Sequence, residues 1–357
     1  MELPKIINSG EWKEGHIQGI AVDEKKGFVY YSFTTILLKT DMLGNPIGSA
    51  ERLAGHLGCI LLNHDDGMVY GSLELKHDSI GSGIIARTGW NPSEEDSFYL
   101  VRFDVDKITR MGMDSEKDGI MSAVYLRDVV KDYSETDPAS GKKHRYGCSG
   151  IDGCSYGPVF GKSADSPKKL MVAYGIYSDL EREDNDHQVI LQYSPAMFDI
   201  YGKPLNQETP HHSGPQSFEE RYFLYTGNTN WGIQNIEYDA YSQNWFVAVY
   251  TGKKESFINY PMFVCDGKAE PERAPLRGRN GEQGLLLSLS ELGTELDQNS
   301  LRGSFFPHGS TGMASMGDGR SYFSVPYSLS KEDGNYFGSN LTLYRYTPDS
   351  EDLFQKE

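Results

Sequence analysis

Cysteine is scarce: Cys59, Cys148, Cys154 and Cys265 are the four in a chain of 357 residues. No CxxC pair occurs, which removes zinc-ribbon spacing, and so thin a distribution fits reduced core thiols better than a disulfide framework. Long apolar runs are also missing. Stretches such as Leu285-Leu286-Leu287 fall far below the ~20 residues that a spanning helix requires. Positive charge is in deficit, with 34 Lys and Arg against 51 Asp and Glu and a net charge of -17. The densest basic segment is Lys142-Lys143-His144-Arg145. A negative field of this kind opposes phosphate backbones and anionic lipid, so neither nucleic acid nor membrane is an expected partner. HExxH, P-loop and GxGxxG patterns are absent, which removes the usual support for zincin, nucleotide and dinucleotide chemistry, and Gly309-Ser310-Thr311-Gly312 lacks the GxSxG elbow, whose strand-to-helix context a propeller does not offer. Met1-Glu2-Leu3-Pro4-Lys5 begins no apolar leader. A cytoplasmic location is therefore expected, or a periplasmic or secreted one if a leader has been removed.

Glycine, proline, tyrosine and phenylalanine are plentiful, at 39, 16, 23 and 16 residues, the composition of strands joined by tight turns. One phrase recurs: a glycine-led strand, an Asp/Gly turn, then an aromatic-rich strand. It starts near residues 16, 56, 150, 231 and 308. Five segments supply a further strand, at residues 36–40, 99–103, 189–193, 260–264 and 341–346. This is the grammar of a β-propeller blade, which repeats every ~40–45 residues. The first two starts are one such length apart and the later gaps are close to twice that. Residues 122–126, 222–225 and 285–289 are apolar enough to begin the blades in between. The expected fold is therefore all-β: a single β-propeller domain over residues 1–357, with its core about 15–346 and seven blades. Five blades with long insertions is the alternative. Polar insertions at residues 88–97, 131–145, 206–220 and 266–283 would project from the ring.

First strands of propeller blades line the central channel, and the histidines favour their ends. His16 and His56 begin the first two phrases, His77 follows the aromatic strand of the second, His187 starts a third strand, and His308 begins the last phrase. Side chains that titrate near neutrality suit proton transfer there; a channel of hydrogen-bonded polar residues without chemistry is the plainer reading. Trp231, Gln234 and Asn235 surround another blade start, where an aromatic face can stack on a sugar and amides can hold hydroxyls. Equally, Trp231 can pack between blades. Asp184-Asn185-Asp186 suits a hard cation or simply a turn. A glycosidase dyad cannot be singled out among so many acids.

The phrases Gly15-His-Ile-Gln-Gly-Ile-Ala-Val-Asp23, Gly55-His-Leu-Gly-Cys59, Tyr70-Gly-Ser-Leu-Glu-Leu-Lys-His-Asp78, Ser149-Gly-Ile-Asp-Gly153 and Asp184-Asn-Asp-His-Gln188 resemble bacterial seven-bladed propeller enzymes acting on rhamnose–glucuronate linkages. That group holds L-rhamnose-α-1,4-D-glucuronate lyases, α-L-rhamnosidases and, more distantly, ulvan lyases. The resemblance implies a catalytic pair of histidines about twenty residues apart, met here by His56 and His77, working with a tyrosine and an arginine. Tyr156 and Arg182 are the matching choices, with Tyr146, Tyr174 and Arg145 close by. It also implies that a rhamnosidase would use one histidine on the opposite face. His16 could match that residue, or Gln18 could occupy its place as in members lacking the activity.

The implied reaction is β-elimination on an acidic oligosaccharide or polysaccharide. A base removes the C5 proton of the uronate, Arg182 and a histidine neutralise the carboxylate, and an acid protonates the leaving oxygen. No cofactor is required. A structural divalent metal, calcium or zinc, is implied by the relatives alone, with Cys265, His187 or His308 as possible ligands. Hydrolysis through His16 and a non-catalytic sugar- or protein-binding propeller are the other two readings.

Overall fold

A computed structural model describes residues 2–90, 92–227, 230–291, 295–296, 301–348 and 352–357. Five antiparallel blades form a ring. The first holds Ile17–Asp23, Phe28–Phe33, Ile36–Asp41 and Pro46–Glu51, and the second His56–Asn63, Met68–Leu75, Ser97–Phe103 and Met121–Tyr125. Cys148–Pro158, Lys168–Ile176, His187–Tyr193 and Glu220–Tyr225 make the third, extended at its edge by Gln283–Leu286 and Glu272–Pro275. The fourth is Ile233–Asp239, Asn244–Val249 and Met262–Cys265. The fifth is Met313–Ser315, Arg320–Lys331 and Gly334–Tyr346, and the N-terminal strand Ile6–Asn8 closes the ring by pairing with Gly334–Tyr346. The first strands of the five blades neighbour one another in cyclic order around the channel.

Each blade is buried on both faces, so its strands read as nearly continuous apolar runs instead of alternating ones. Phe28–Phe33 shows how this works. Tyr30 packs with Leu57, Val69 and Tyr99 of the second blade, while Tyr31 points the other way, among Ile7, Tyr322 and Leu341 of the fifth. Adjacent residues of one strand thus serve two different interfaces. Five hydrophobic clusters result, one between each pair of neighbouring blades.

The seven-blade expectation is corrected to five. Residues 122–126 and 222–225 fall in the fourth strands of blades two and three, and residues 285–289 begin at the extended edge of blade three. An outer strand packed between blades is as apolar as an inner one, so the pattern alone overcounts blades. The five phrase starts do mark the five inner strands. Their glycines allow a five-fold channel to be narrow: a Cβ on Gly19 would stand 2.6 Å from the backbone nitrogen of Ile60 on the next inner strand. All four cysteines are buried and free. The Cys59 and Cys154 thiols each donate to the other's backbone carbonyl, at 3.3 and 3.2 Å. Among the described residues no helix is long and apolar enough to cross a membrane.

Candidate functional site at one mouth of the channel

Four β-bulges build the site. The pairing of inner strands with their neighbours skips one residue between Ile17 and Gly19, between Cys148 and Gly150, between Ile151 and Gly153, and between Ile233 and Asn235. The skipped residues are Gln18, Ser149, Asp152 and Gln234. All four line a single cavity of about 440 Å³ at the end of the channel where the inner strands begin. A bulge turns one extra side chain out of the ladder, and here each is turned into the channel mouth. His16, His56, Lys76, Tyr177, Trp231 and Tyr250 complete the polar and aromatic wall, and helix Ser79–Thr88 covers one side with Ile80, Ile84 and Arg87. That helix starts at Asp78, whose carboxylate accepts the backbone NH groups of Ile80 and Gly81 and the Tyr177 hydroxyl at 2.7 Å.

Beneath the wall lies a charged cluster. Glu74 Oε1 accepts the Ile151 backbone NH at 2.6 Å, and Oε2 lies 2.8 Å from Lys76 Nζ and 3.6 Å from His56 Nδ1. Lys76 also donates to the Ser149 carbonyl at 2.8 Å and stands 3.4 Å from Asp78. Room for the Glu74 carboxylate comes from Gly150, at φ 128°, where a Cβ would fall 1.9 Å from Oε1. Burial is the largest influence on both Glu74 and Lys76 and works against charge, yet the ion pair together with His56 beside Glu74, and with Asp78 and Asp152 beside Lys76, outweighs it: the Glu74 carboxyl is held below its usual range and the Lys76 ammonium above its own. Asp152 goes the other way. Burial first, then the Glu74 charge, raise its carboxyl, and Gln234 Nε2 donates to its Oδ2 at 2.9 Å. His16 stands at the open rim with Nε2 2.8 Å from the Gln18 amide. Desolvation by the surrounding protein, then the nearby His56 and Arg87 charges, lower it to about 4, so it is neutral at pH 7. Burial raises the Tyr250 hydroxyl to about 12.

One imidazole and two carboxylates, from His56, Glu74 and Asp152, bring their donor atoms within 4.8 Å of one another. In kind they suit a divalent cation, but the Lys76 ammonium already sits against Glu74. The three ligands expected from sequence do not meet. Cys265 is in the core between blades three and four, His187 packs against Phe223 and Tyr225, and His308 against Phe306 and Tyr344.

Of the expected site residues, His56, His16, Gln18, Trp231 and Gln234 come together in the cavity. His77 does not. Side chains alternate along Met68–Leu75 and its continuation, so Glu74 and Lys76 face the channel while His77 turns outward, 36% exposed, with Nδ1 3.3 Å from Asp96. Arg182 is corrected from carboxylate clamp to structural ion pair. Its guanidinium lies 2.6 Å from Asp184 and 3.7 Å from Asp137, and Arg279 binds both of those carboxylates as well. Asp186 is likewise held by Lys254 at 2.8 Å, so side-chain cations take the place expected of a metal at this turn. Asn235 stitches inner strands together through the Gln18 and Ser310 carbonyls. Tyr156 donates to Asp65 at 2.9 Å and belongs to a second cavity at the opposite mouth. The buried His187 and the aromatic-packed His308 are outside the cavity.

Sequence reasoning missed Glu74, Lys76, Arg87, Asp152, Tyr177 and Tyr250. Polar residues at 72, 74 and 76 on an otherwise apolar strand were the available signal, because period two places all three on one face. Arg87 had no such signal, since its helix interrupts the blade grammar. Its guanidinium lines the cavity and makes no ion pair within 4 Å among the described residues.

No protein-family model and no curated protein matches the chain. Among solved structures it is similar to a protein of unknown function from Bacteroides caccae, at 8% identity over 71% of this chain and 78% of that one. It is also similar to the Dos1 propeller, at 8% identity over 90% and 78%. Both give a TM-score of 0.29. The five-bladed ring rests on the strand pairing, independently of either.

Proposed function

We propose that the bulge-lined mouth binds an acidic sugar and cleaves a rhamnosyl-glucuronate linkage by β-elimination. The observation that carries this reading is a guanidinium, Arg87, with no ion pair within 4 Å among the described residues, over a cavity whose described wall offers a single carboxylate, Asp152, beside His56. Arg87 takes the role first given to Arg182, pairing with the uronate carboxylate as charge builds on it. Trp231, edge-on to Tyr250 at 6.1 Å, offers its indole to a sugar ring.

His56, whose Nδ1 faces Glu74 Oε2 at 3.6 Å, removes the C5 proton. The released electron pair forms the C4–C5 double bond, the C4–O bond breaks, and Asp152, whose hold on a proton burial strengthens, delivers a proton to the departing oxygen. Acid and base lie within 4.8 Å of each other, which suits loss of proton and leaving group from the same side of the sugar. Hydrolysis with a carboxylate nucleophile is less well served, because the second carboxylate, Glu74, is 1% exposed and bound by Lys76.

The test is incubation with a rhamnose-capped glucuronate oligosaccharide, such as one from gum arabic. Elimination gives a conjugated product that absorbs in the ultraviolet, and the signal is expected to vanish in His56→Ala with the fold intact. Free rhamnose without that absorbance moves the reading to hydrolysis, with His16 as the residue to replace. Binding without turnover leaves a sugar-binding propeller.

A further inference from the structure

The ends of the inner strands define the other mouth of the channel, which holds a second cavity of about 580 Å³. Part of its wall is apolar, with Ile20, Val22, Leu61, Leu62, Met313 and Met316 around the rings of Tyr156 and Tyr238. Charged side chains line it as well: Glu24, Lys25, Asp165, Lys168 and Glu237. Glu237 brings a carboxyl into the cavity, with Oε1 accepting the Ser315 backbone NH at 3.0 Å. Among the described residues no cation lies within ion-pair distance of it, although Lys25 and Lys168 reach the same cavity and Lys168 is turned to Asp65 at 3.5 Å.

We infer that this second mouth is a binding site for an organic ammonium ion, an amine carried on an apolar or aromatic body. A recessed carboxylate in apolar surroundings is costly unless a positive group meets it. The protein's own lysines do not. A ligand ammonium would, while its body replaces water against the aliphatic wall and its charge lies near the electron-rich faces of Tyr156 and Tyr238. Burial raises the Glu237 carboxyl to about 8, which reflects the cost of its charge that a bound ammonium would offset. An apolar enclosure with one or a few placed polar groups is how small-molecule sites are commonly built. This site is independent of the sugar chemistry at the first mouth, since no residue is shared between the two cavities.

The experiment is calorimetric titration of the full chain with phenethylammonium chloride, alongside phenylethanol and phenylacetate of the same shape. Saturable binding of one equivalent of the amine is expected, weakened at least about tenfold in Glu237→Gln and unchanged in Arg87→Ala at the other mouth. Equal binding of phenylethanol, preference for phenylacetate, or unaltered affinity in Glu237→Gln would overturn the assignment. If Glu237→Gln does not fold, methyl NMR on the unaltered protein decides: the amine must shift the Met313 and Met316 signals, and failure to do so refutes the site.

Discussion

Lys76 holds its ammonium 2.8 Å from Glu74 Oε2, and the two side chains are 2% and 1% exposed. An ion pair so far from water persists only when its geometry is good and the remaining donors and acceptors are met. Here Ile151 and Ser149 meet them through the backbone. The pair sits among His56 and Asp152, in the position where a divalent ion would otherwise balance two carboxylates and an imidazole.

Replacing Lys76 by Met therefore has two expected effects. Glu74 is left as an uncompensated buried charge, which costs about 3–5 kcal/mol and lowers the melting temperature. The freed triad also gains affinity for Zn²⁺, so calorimetric titration with zinc shows one site in Lys76→Met and none there in the unaltered protein. Zinc then restores part of the lost stability, because a ligand bound only by the folded state stabilises it. Stoichiometric zinc uptake by the unaltered protein that disappears in His56→Ala would show that Lys76 does not fill this place.

His187 lies buried between aromatic rings, and burial, then Arg279 and Arg277, lower it from 6.5 to about 4. The unfolded chain accepts a proton near 6.5 and the folded protein resists until about 4. Its depressed value means that the associated stability is fully present above pH 6.5 and drains away as pH falls toward 4. About 3 kcal/mol is at stake over that window. Denaturant titrations at several pH values should show a steeper acid loss for the unaltered protein than for His187→Phe, whose ring occupies the same aromatic setting without a proton to gain. Parallel curves would mean that His187 is not protonated on unfolding in that range.

How far the sequence reached follows from which physical feature each residue reports. Inner strands were legible because a glycine-led start is what a crowded channel demands, as Gly19 against Ile60 shows. Blade number was not, because the strand at residues 222–225 is buried between blades and looks like any other. Gln18 and Gln234 stood out as polar residues at blade starts, and both proved to be bulged into the cavity. Asp152 occupies an equivalent bulge, yet within the glycine-led strand start at residues 150–153 nothing in the sequence tells a bulged residue from a paired one. His77 misled for the opposite reason. It is one residue from Lys76, and one residue along a strand reverses the side on which a side chain falls.

Under the proposed reaction, the contrast between Arg87 and Arg182 separates a substrate contact from scaffold. Arg182 is 4% exposed and shares Asp184 and Asp137 with Arg279, so Arg182→Met breaks a buried network and is expected to lower stability by about 3–5 kcal/mol. Arg87 is exposed at the cavity rim and makes no ion pair within 4 Å among the described residues. Arg87→Ala should leave the melting temperature nearly unchanged while raising KM for a uronate substrate and lowering kcat/KM, together about tenfold to a hundredfold. A neutral sugar of the same size should lose little by comparison, because only the carboxylate meets the guanidinium. His77→Ala, outside the cavity, should change neither quantity. Loss of activity in His77→Ala with an intact fold would return that residue to the catalytic pair and require this mouth to rearrange around the substrate.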